Sequence, residues 1–234
     1  MGDLRHACRY APRVSRRTGA IAKSVELMLL RPRAAEADCA ALCVRGAELH
    51  VAAVCVPPTH VATAAERLRG TDVKVVALVS HPFGADVPEV KALACGRAIA
   101  DGAHEVEVCV DLARFSSGDP ARVRDELRLC AAAARAARGE ALIRAVVDTG
   151  AYDDRALRLL ARAVVAAEVD MIATSSGLAP EPDGVLDVEL LREEVGAGIG
   201  VKAVRAARSL DEVAELVAAG ASRVGVATTD LFDD

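Results

Sequence analysis

Four lysines stand against 25 arginines in this chain of 234 residues, so each lysine position carries chemical weight. Lys202 follows Ile199-Gly200-Val201 at the end of a short apolar run. An amine desolvated there could lose its proton near neutral pH, attack a carbonyl or pass protons. Glu107, in Val106-Glu107-Val108, is the matching acid. Glu107 and Asp111 lie four apart on a strand pattern and so share one face. Asp148, in Asp148-Thr149-Gly150, is a third catalytic candidate and equally a helix-approach turn. Two readings of Lys202 stay open: a reactive amine beside Glu107, or a structural lysine paired with Glu107 or Asp148.

These groups can meet only if strands bring them together. A helix that ends in small residues and runs into a Val-rich strand recurs along the chain. It is read at Arg45-Gly46-Ala47, Asp101-Gly102-Ala103 and Ala219-Gly220-Ala221. Glycine just past a helix is the expected C-cap. Continuous β-branched runs suit parallel strands buried on both faces. The pattern predicts strands near 24–30, 49–56, 73–80, 105–111, 141–148, 169–173, 199–203 and 222–226. It predicts helices near 34–45, 59–69, 86–101, 119–138, 153–167, 187–195 and 209–219. Asp119 and Asp153 stand at N-cap positions, and Ser209-Leu210-Asp211-Glu212 reads as a capping box. Alternation at this spacing predicts an α/β fold, a (β/α)8 barrel whose last helix is truncated. It occupies residues 24–234 as one domain, behind a basic segment 1–23 expected to form a short helix across the barrel bottom.

In such a barrel, chemistry sits at the C-terminal strand ends. The polar groups expected there are Glu26, Cys55, Glu107, Asp111, Arg144, Asp148 and Lys202. Ala173 with the turn Thr174-Ser175-Ser176-Gly177, and the residues Arg205, Arg208, Gly225 and Thr228, complete the expected substrate-binding set. Lys23, Lys74 and Lys91 are expected in solvent.

Several segments, in order, resemble the deoxyribose-phosphate aldolases. Asp170-Met171-Ile172-Ala173-Thr174-Ser175-Ser176-Gly177 is similar to that family's Asp-Phe-Ile-Lys-Thr-Ser-Thr-Gly. Ala53-Val54-Cys55-Val56-Pro57-Pro58, Ser80-His81-Pro82-Phe83-Gly84, Val106-Glu107-Val108, Ile143 to Gly150 and Gly200-Val201-Lys202-Ala203 resemble further family motifs. The resemblance covers most of residues 25–228. It implies a class I aldolase barrel, a Schiff-base lysine at position 173, a proton-shuttling acid at 107 and a tuning lysine at 202. Here position 173 is alanine, which cannot attack a carbonyl. Glu107 replaces an aspartate, Arg144 a lysine, and Glu26-Leu27-Met28 an Asp-His-Thr. Val204-Arg205-Ala206-Ala207-Arg208 stands where the family's glycines cradle phosphate, and a Cβ obstructs close backbone approach. Arg205 and Arg208 could supply guanidinium contacts instead. Two functions follow: a divergent lyase on a small carbonyl or sugar-phosphate-like compound centred on Lys202 and Glu107, or a catalytically inactive homologue that binds a ligand or pairs with an active subunit. An open pocket facing the lysine–acid pair favours the first. A mouth filled by Arg205, Met28 and Leu27 favours the second.

Composition narrows the partners. Net charge is −5 with no basic face in the pattern, so nucleic acid is not expected. No run approaches the roughly 18 apolar residues of a membrane span, and the N-terminus carries no signal-peptide pattern. The seven cysteines are scattered, Cys39 and Cys43 sit at helical spacing, and no metal-binding spacing occurs. Reduced thiols in a cytoplasm, no metal and no cofactor are expected. The expected partner is a small carbonyl or phosphorylated molecule, with a homo- or hetero-dimer left open.

Overall fold

A computed structural model describes residues 16–177 and 184–232. Eight parallel strands close into a barrel in sequence order. They are β1 Val25–Met28, β2 Ala53–Val56, β3 Lys74–Val79, β4 Glu105–Cys109, β5 Leu142–Val146, β6 Met171–Ala173, β7 Gly200–Val204 and β8 Arg223–Val226. The helices are α1 Arg16–Ala22, α2 Glu36–Leu49, α3 Val61–Arg67, α4 Pro88–Ala100, α5 Leu112–Ser116, α6 Pro120–Ala137, α7 Asp154–Ala166, α8 Val185–Val195 and α9 Leu210–Ala218. After β8 the described chain makes only a 3-10 turn, Asp230–Phe232. This is the (β/α)8 barrel that the strand–helix alternation predicts. Of the basic segment, α1 packs against α9, and residues 1–15 lie outside the described residues. Among the described residues, no helix is long and apolar enough to cross a membrane.

Two apolar layers form for a simple reason. Alternate residues of each strand point to opposite faces. Val25, Leu27, Val54, Val75, Val106, Ile143 and Ile172 face the helices and join the large outer core. Met28, Cys55, Val76, Leu78, Cys109, Val146, Ala173 and Val204 face inward and form a second cluster inside the barrel. Leu27 is therefore in the outer layer and does not fill the mouth.

Local capping follows the sequence closely. The carboxylates of Asp119 and Asp153 accept from the backbone N–H of Arg122 and Ala156, at 3.3 Å and 2.8 Å. Ser209 Oγ accepts from Glu212 N, while Glu212 reaches back to the Arg208 N–H. Gly102 and Gly220 follow α4 and α9 with φ of 113° and 114°. Gly46 differs. It lies within α2, which runs on to Leu49, and His50 takes the left-handed cap. A Cβ on Gly46 would come within 2.9 Å of Val54, so this glycine serves close helix–strand packing. The helix α5 was not expected; Asp111, read as a strand residue, starts it instead.

Lys91 is a further departure. It is fully buried on α4 rather than solvated, 2.8 Å from Glu126 of α6. Its ammonium also donates to the Cys109 carbonyl at 3.0 Å, and Glu126 accepts from the Asp111 N–H at 3.3 Å. The pair thus ties two helices to the end of β4. Removing one buried partner strands the other charge, typically at a cost of about 3–5 kcal/mol. Lys91→Met should lower stability by that order in denaturant unfolding. The double variant Lys91→Met/Glu126→Leu should recover most of the loss. Equal losses in single and double variants would show that shape, not charge, matters here.

Candidate active site

Among the described residues, six buried or nearly buried charges lie in the barrel interior: Glu26, Glu105, Glu107, Arg144, Lys202 and Arg223. Glu26, Glu107, Arg144 and Lys202 each face inward two residues before the inward residue that ends its strand, Met28, Cys109, Val146 and Val204 in turn, while Glu105 lies one inward position further down β4. The apolar inward layer therefore lies above the charged one. Lys202 Nζ sits 2.6 Å from Glu26 Oε1 and 2.8 Å and 2.7 Å from the two oxygens of Glu107. Arg144 Nη1 lies 2.5 Å from Glu26 and 3.4 Å from Glu107, and its Nη2 meets Glu105. Arg223, on β8, reaches Glu26 at 3.2 Å and Glu105 at 3.6 Å. Three carboxylates thus face three cations.

Protonation follows from burial set against these neighbours. Burial pushes the Lys202 amine toward its neutral form, but Glu107 and Glu26 outweigh it, and the pKa is raised. Lys202 stays an ammonium at neutral pH. Burial would likewise raise Glu26, yet Arg144, Lys202 and Arg223 hold its carboxyl well below the usual range. At Glu107 burial prevails, helped by the Glu26 charge, and its pKa is raised against the pull of Lys202. Cys55 lies beside this cluster, its thiol pushed far up by burial. The donor atoms of Glu26, Cys55 and Glu107 all fall within 4.8 Å of one another, a spacing that could hold a metal ion. The Lys202 ammonium lies against both carboxylates at 2.6–2.8 Å, so the cation position already carries a positive charge.

The structure unites Lys202, Glu107, Glu26, Arg144 and Cys55, and it sets Ala173 beside Lys202 in register. Gly225 belongs here for a packing reason: a Cβ would come within 2.6 Å of Met28 Sδ and 2.8 Å of Lys202 Cε. Other expected site residues are held elsewhere. Asp148 does not meet Lys202; its Oδ1 accepts from the Ser176 N–H at 2.5 Å, and it pins the β6 turn. Asp111 caps α5 by accepting from Arg114 N at 3.0 Å. Thr174 Oγ1 accepts from Val204 N, and Ser175 Oγ from Gly177 N. Thr174, Ser175 and Ser176 are buried by these ties, whereas Gly177 is exposed. Arg205 and Arg208 are exposed beyond β7, and Thr228 caps the final turn by accepting from Asp230 N. Of the residues expected to fill the mouth, only Met28 does so. Glu105 and Arg223 were missed. Their inward phase was legible, since each lies two residues before Glu107 or Gly225.

Comparison with known proteins places the chain in a family. The chain is 36% identical over 219 residues to the deoxyribose-phosphate aldolase of Micrococcus luteus, covering 92% of this chain and 96% of that one. It is 34% identical over 208 residues to deoxyribose-phosphate aldolase 1 of Bacillus licheniformis, covering 89% and 92%. The chain belongs to the deoxyribose-phosphate aldolase family. Among solved structures, the aldolase QR15 superposes with a TM-score of 0.82 at 27% identity over 88% of this chain and 91% of its own. The tetrameric deoxyribose-phosphate aldolase of Aeropyrum pernix gives 0.83 at 25% identity over 90% and 88%. No family model matches the chain.

Within this family barrel, the buried cluster makes stability depend on pH. Glu26 ionises more readily folded than unfolded, so below its unfolded value of about 4.3 the unfolded chain binds the extra proton. Its stabilising contribution is present above that pH and is lost as pH falls toward the depressed folded value. Glu26→Gln should lower stability at pH 7, and the gap to the natural chain should narrow on acidification below about pH 4.5. Urea unfolding of both proteins across that range reads the gap. A gap independent of pH would rule out the ionised Glu26 as its source.

Proposed function

We propose that this member of the deoxyribose-phosphate aldolase family is a ligand-binding barrel that does not perform imine chemistry. The reading is carried by Lys202. Imine formation needs an unprotonated amine that can reach a carbonyl. Lys202 has no exposed surface, keeps its proton and is held by two carboxylates. Above it lies the apolar layer of Met28, Leu78, Cys109, Val146, Ala173 and Val204. At position 173, where the family motif carries its nucleophile, stands a buried methyl group.

A second reading is a divergent aldolase-like lyase acting on a small carbonyl compound, with Lys202 as amine and Glu107 as acid. The contact of 2.7 Å between them favours it, since proton transfer needs such reach. That reading requires the apolar layer to part and Lys202 to leave both carboxylates.

Borohydride trapping with a panel of aldehydes, followed by peptide mapping, separates the two. The binding reading expects no modified lysine. It also expects cleavage of deoxyribose-5-phosphate at least about a thousandfold below an ordinary aldolase, since a lost covalent nucleophile removes several kcal/mol of transition-state stabilisation. Reduced adduct on Lys202, or turnover at the typical enzymatic rate of about 10 per second, would establish the lyase instead.

Ala173→Lys provides a stricter case. The new amine would enter a packed interior beside Lys202, where overpacking costs about 1–3 kcal/mol and like charges depress one pKa. Weak imine trapping at 173 with little aldol cleavage is expected. Robust cleavage of deoxyribose-5-phosphate by this variant would show that the altered 204–208 turn is no obstacle.

A further inference from the structure

A cleft of about 600 Å³ opens over the C-terminal ends of β1, β2 and β3, to one side of the closed barrel axis. This end of the barrel is where the fold builds binding sites from loops. Leu30 and Leu78 belong to its lining, and both also join the apolar cluster inside the barrel. The cleft therefore rests directly on the layer that covers Lys202.

Its walls are braced before any ligand arrives. His60 Nε2 donates to the Ala34 carbonyl at 3.3 Å and joins the first two loops. Ser80 Oγ donates to Asp86 at 2.8 Å within the third. His81 Nε2 donates to the Ser176 carbonyl at 2.9 Å and ties the third loop to the β6 turn. A braced, largely apolar concavity of this size suits a small molecule.

The lining selects the chemistry. Pro57, Pro58 and Pro82 supply apolar surface and no N–H donors. Several polar groups of the lining are already engaged, Ser80 with Asp86, His60 with Ala34 and His81 with Ser176, which leaves fewer partners for the hydroxyls of a buried sugar ring. Arg31 stands in the same lining with an exposed guanidinium. Its Nη2 meets Asp38 at 3.0 Å, an exposed pair of the kind that contributes little and exchanges readily. Guanidinium binds carboxylate and phosphate oxygens alike.

We propose that this cleft binds a small anion with an apolar body, its carboxylate or phosphate on Arg31 and its body against Leu30, Leu78 and the prolines. The inference rests on the ligand-binding reading and names the ligand class that reading lacks.

The test is a nuclear magnetic resonance titration of the full chain, with the histidine rings labelled and assigned by single His→Asn variants. The probes are benzoate and phenyl phosphate, with benzyl alcohol and deoxyribose-5-phosphate as comparisons. Either charged arene should shift His60 and His81 and leave His104, which lines a cleft at the opposite end of the barrel, unchanged. The tighter of the two identifies the head group. Arg31→Gln, an exposed substitution that keeps the fold, should weaken that binding by about fivefold, the upper end for an exposed ion pair. Silence at His60 and His81 would overturn the proposal. So would equal binding to Arg31→Gln, or equal affinity for benzyl alcohol or deoxyribose-5-phosphate. An imine trapped on Lys202 would overturn the functional reading without bearing on these shifts. Silent histidines would remove the cleft ligand and leave the trapping result as it stands.

Discussion

The Lys202 ammonium between Glu26 and Glu107 is the contact on which the barrel interior depends. Taking a charge from water into a low-dielectric core is costly, and only close opposite charges with good hydrogen bonds offset it. Here the compensation is mutual. Glu26 is held ionised by three cations, and Lys202 is held protonated by two carboxylates. Glu105 and Arg223 extend the set, and the six formal charges cancel. Around this set the strands carry small or apolar side chains. At Gly225 only a hydrogen can be accommodated, because Met28 and Lys202 fill the space a Cβ would need.

The same interaction governs the protonation of Lys202. A lysine becomes a nucleophile when desolvation outweighs nearby negative charge. Two carboxylates within 2.8 Å reverse that balance. Lys202 is the positive centre of a buried ion-pair network. Loss of the strand-six lysine and enclosure of the strand-seven lysine are consistent with one another. With position 173 reduced to a methyl group, the interior layer closes over the charges. The polar turn beyond β6 is then held by Asp148, Val204 and His81 through its own backbone and hydroxyl groups.

Elsewhere the fold uses buried charge in the same way. Lys91 and Glu126 pair between α4 and α6 and satisfy backbone groups at the end of β4. Both lysine networks rest on β4, through the Cys109 carbonyl in one case and Glu107 in the other. Two of the four lysines of the chain are fully buried, although lysine is seldom buried unless paired. The scarcity of lysine pointed to unusual positions, and two of the four proved to be buried ones.

The sequence by itself determined the fold class, the eight strands, most helix starts and the family, and it put an alanine at position 173. Those features are local: β-branched runs, Asp and Ser caps, and motifs read within a few residues. It misjudged Gly46 because a glycine near a helix end resembles a cap until its neighbours on β1 and β2 are known. It left Asp111 open between an inward strand residue and a loop cap, because strand periodicity does not state where the strand stops. Only the tertiary structure decided which carboxylates meet Lys202, and hence its protonation. Glu26 lies 176 residues away in sequence, and no local pattern specifies a contact across a closed barrel. Burial and Coulomb attraction act in opposite directions on that amine, and their balance exists only once the eight strands have closed.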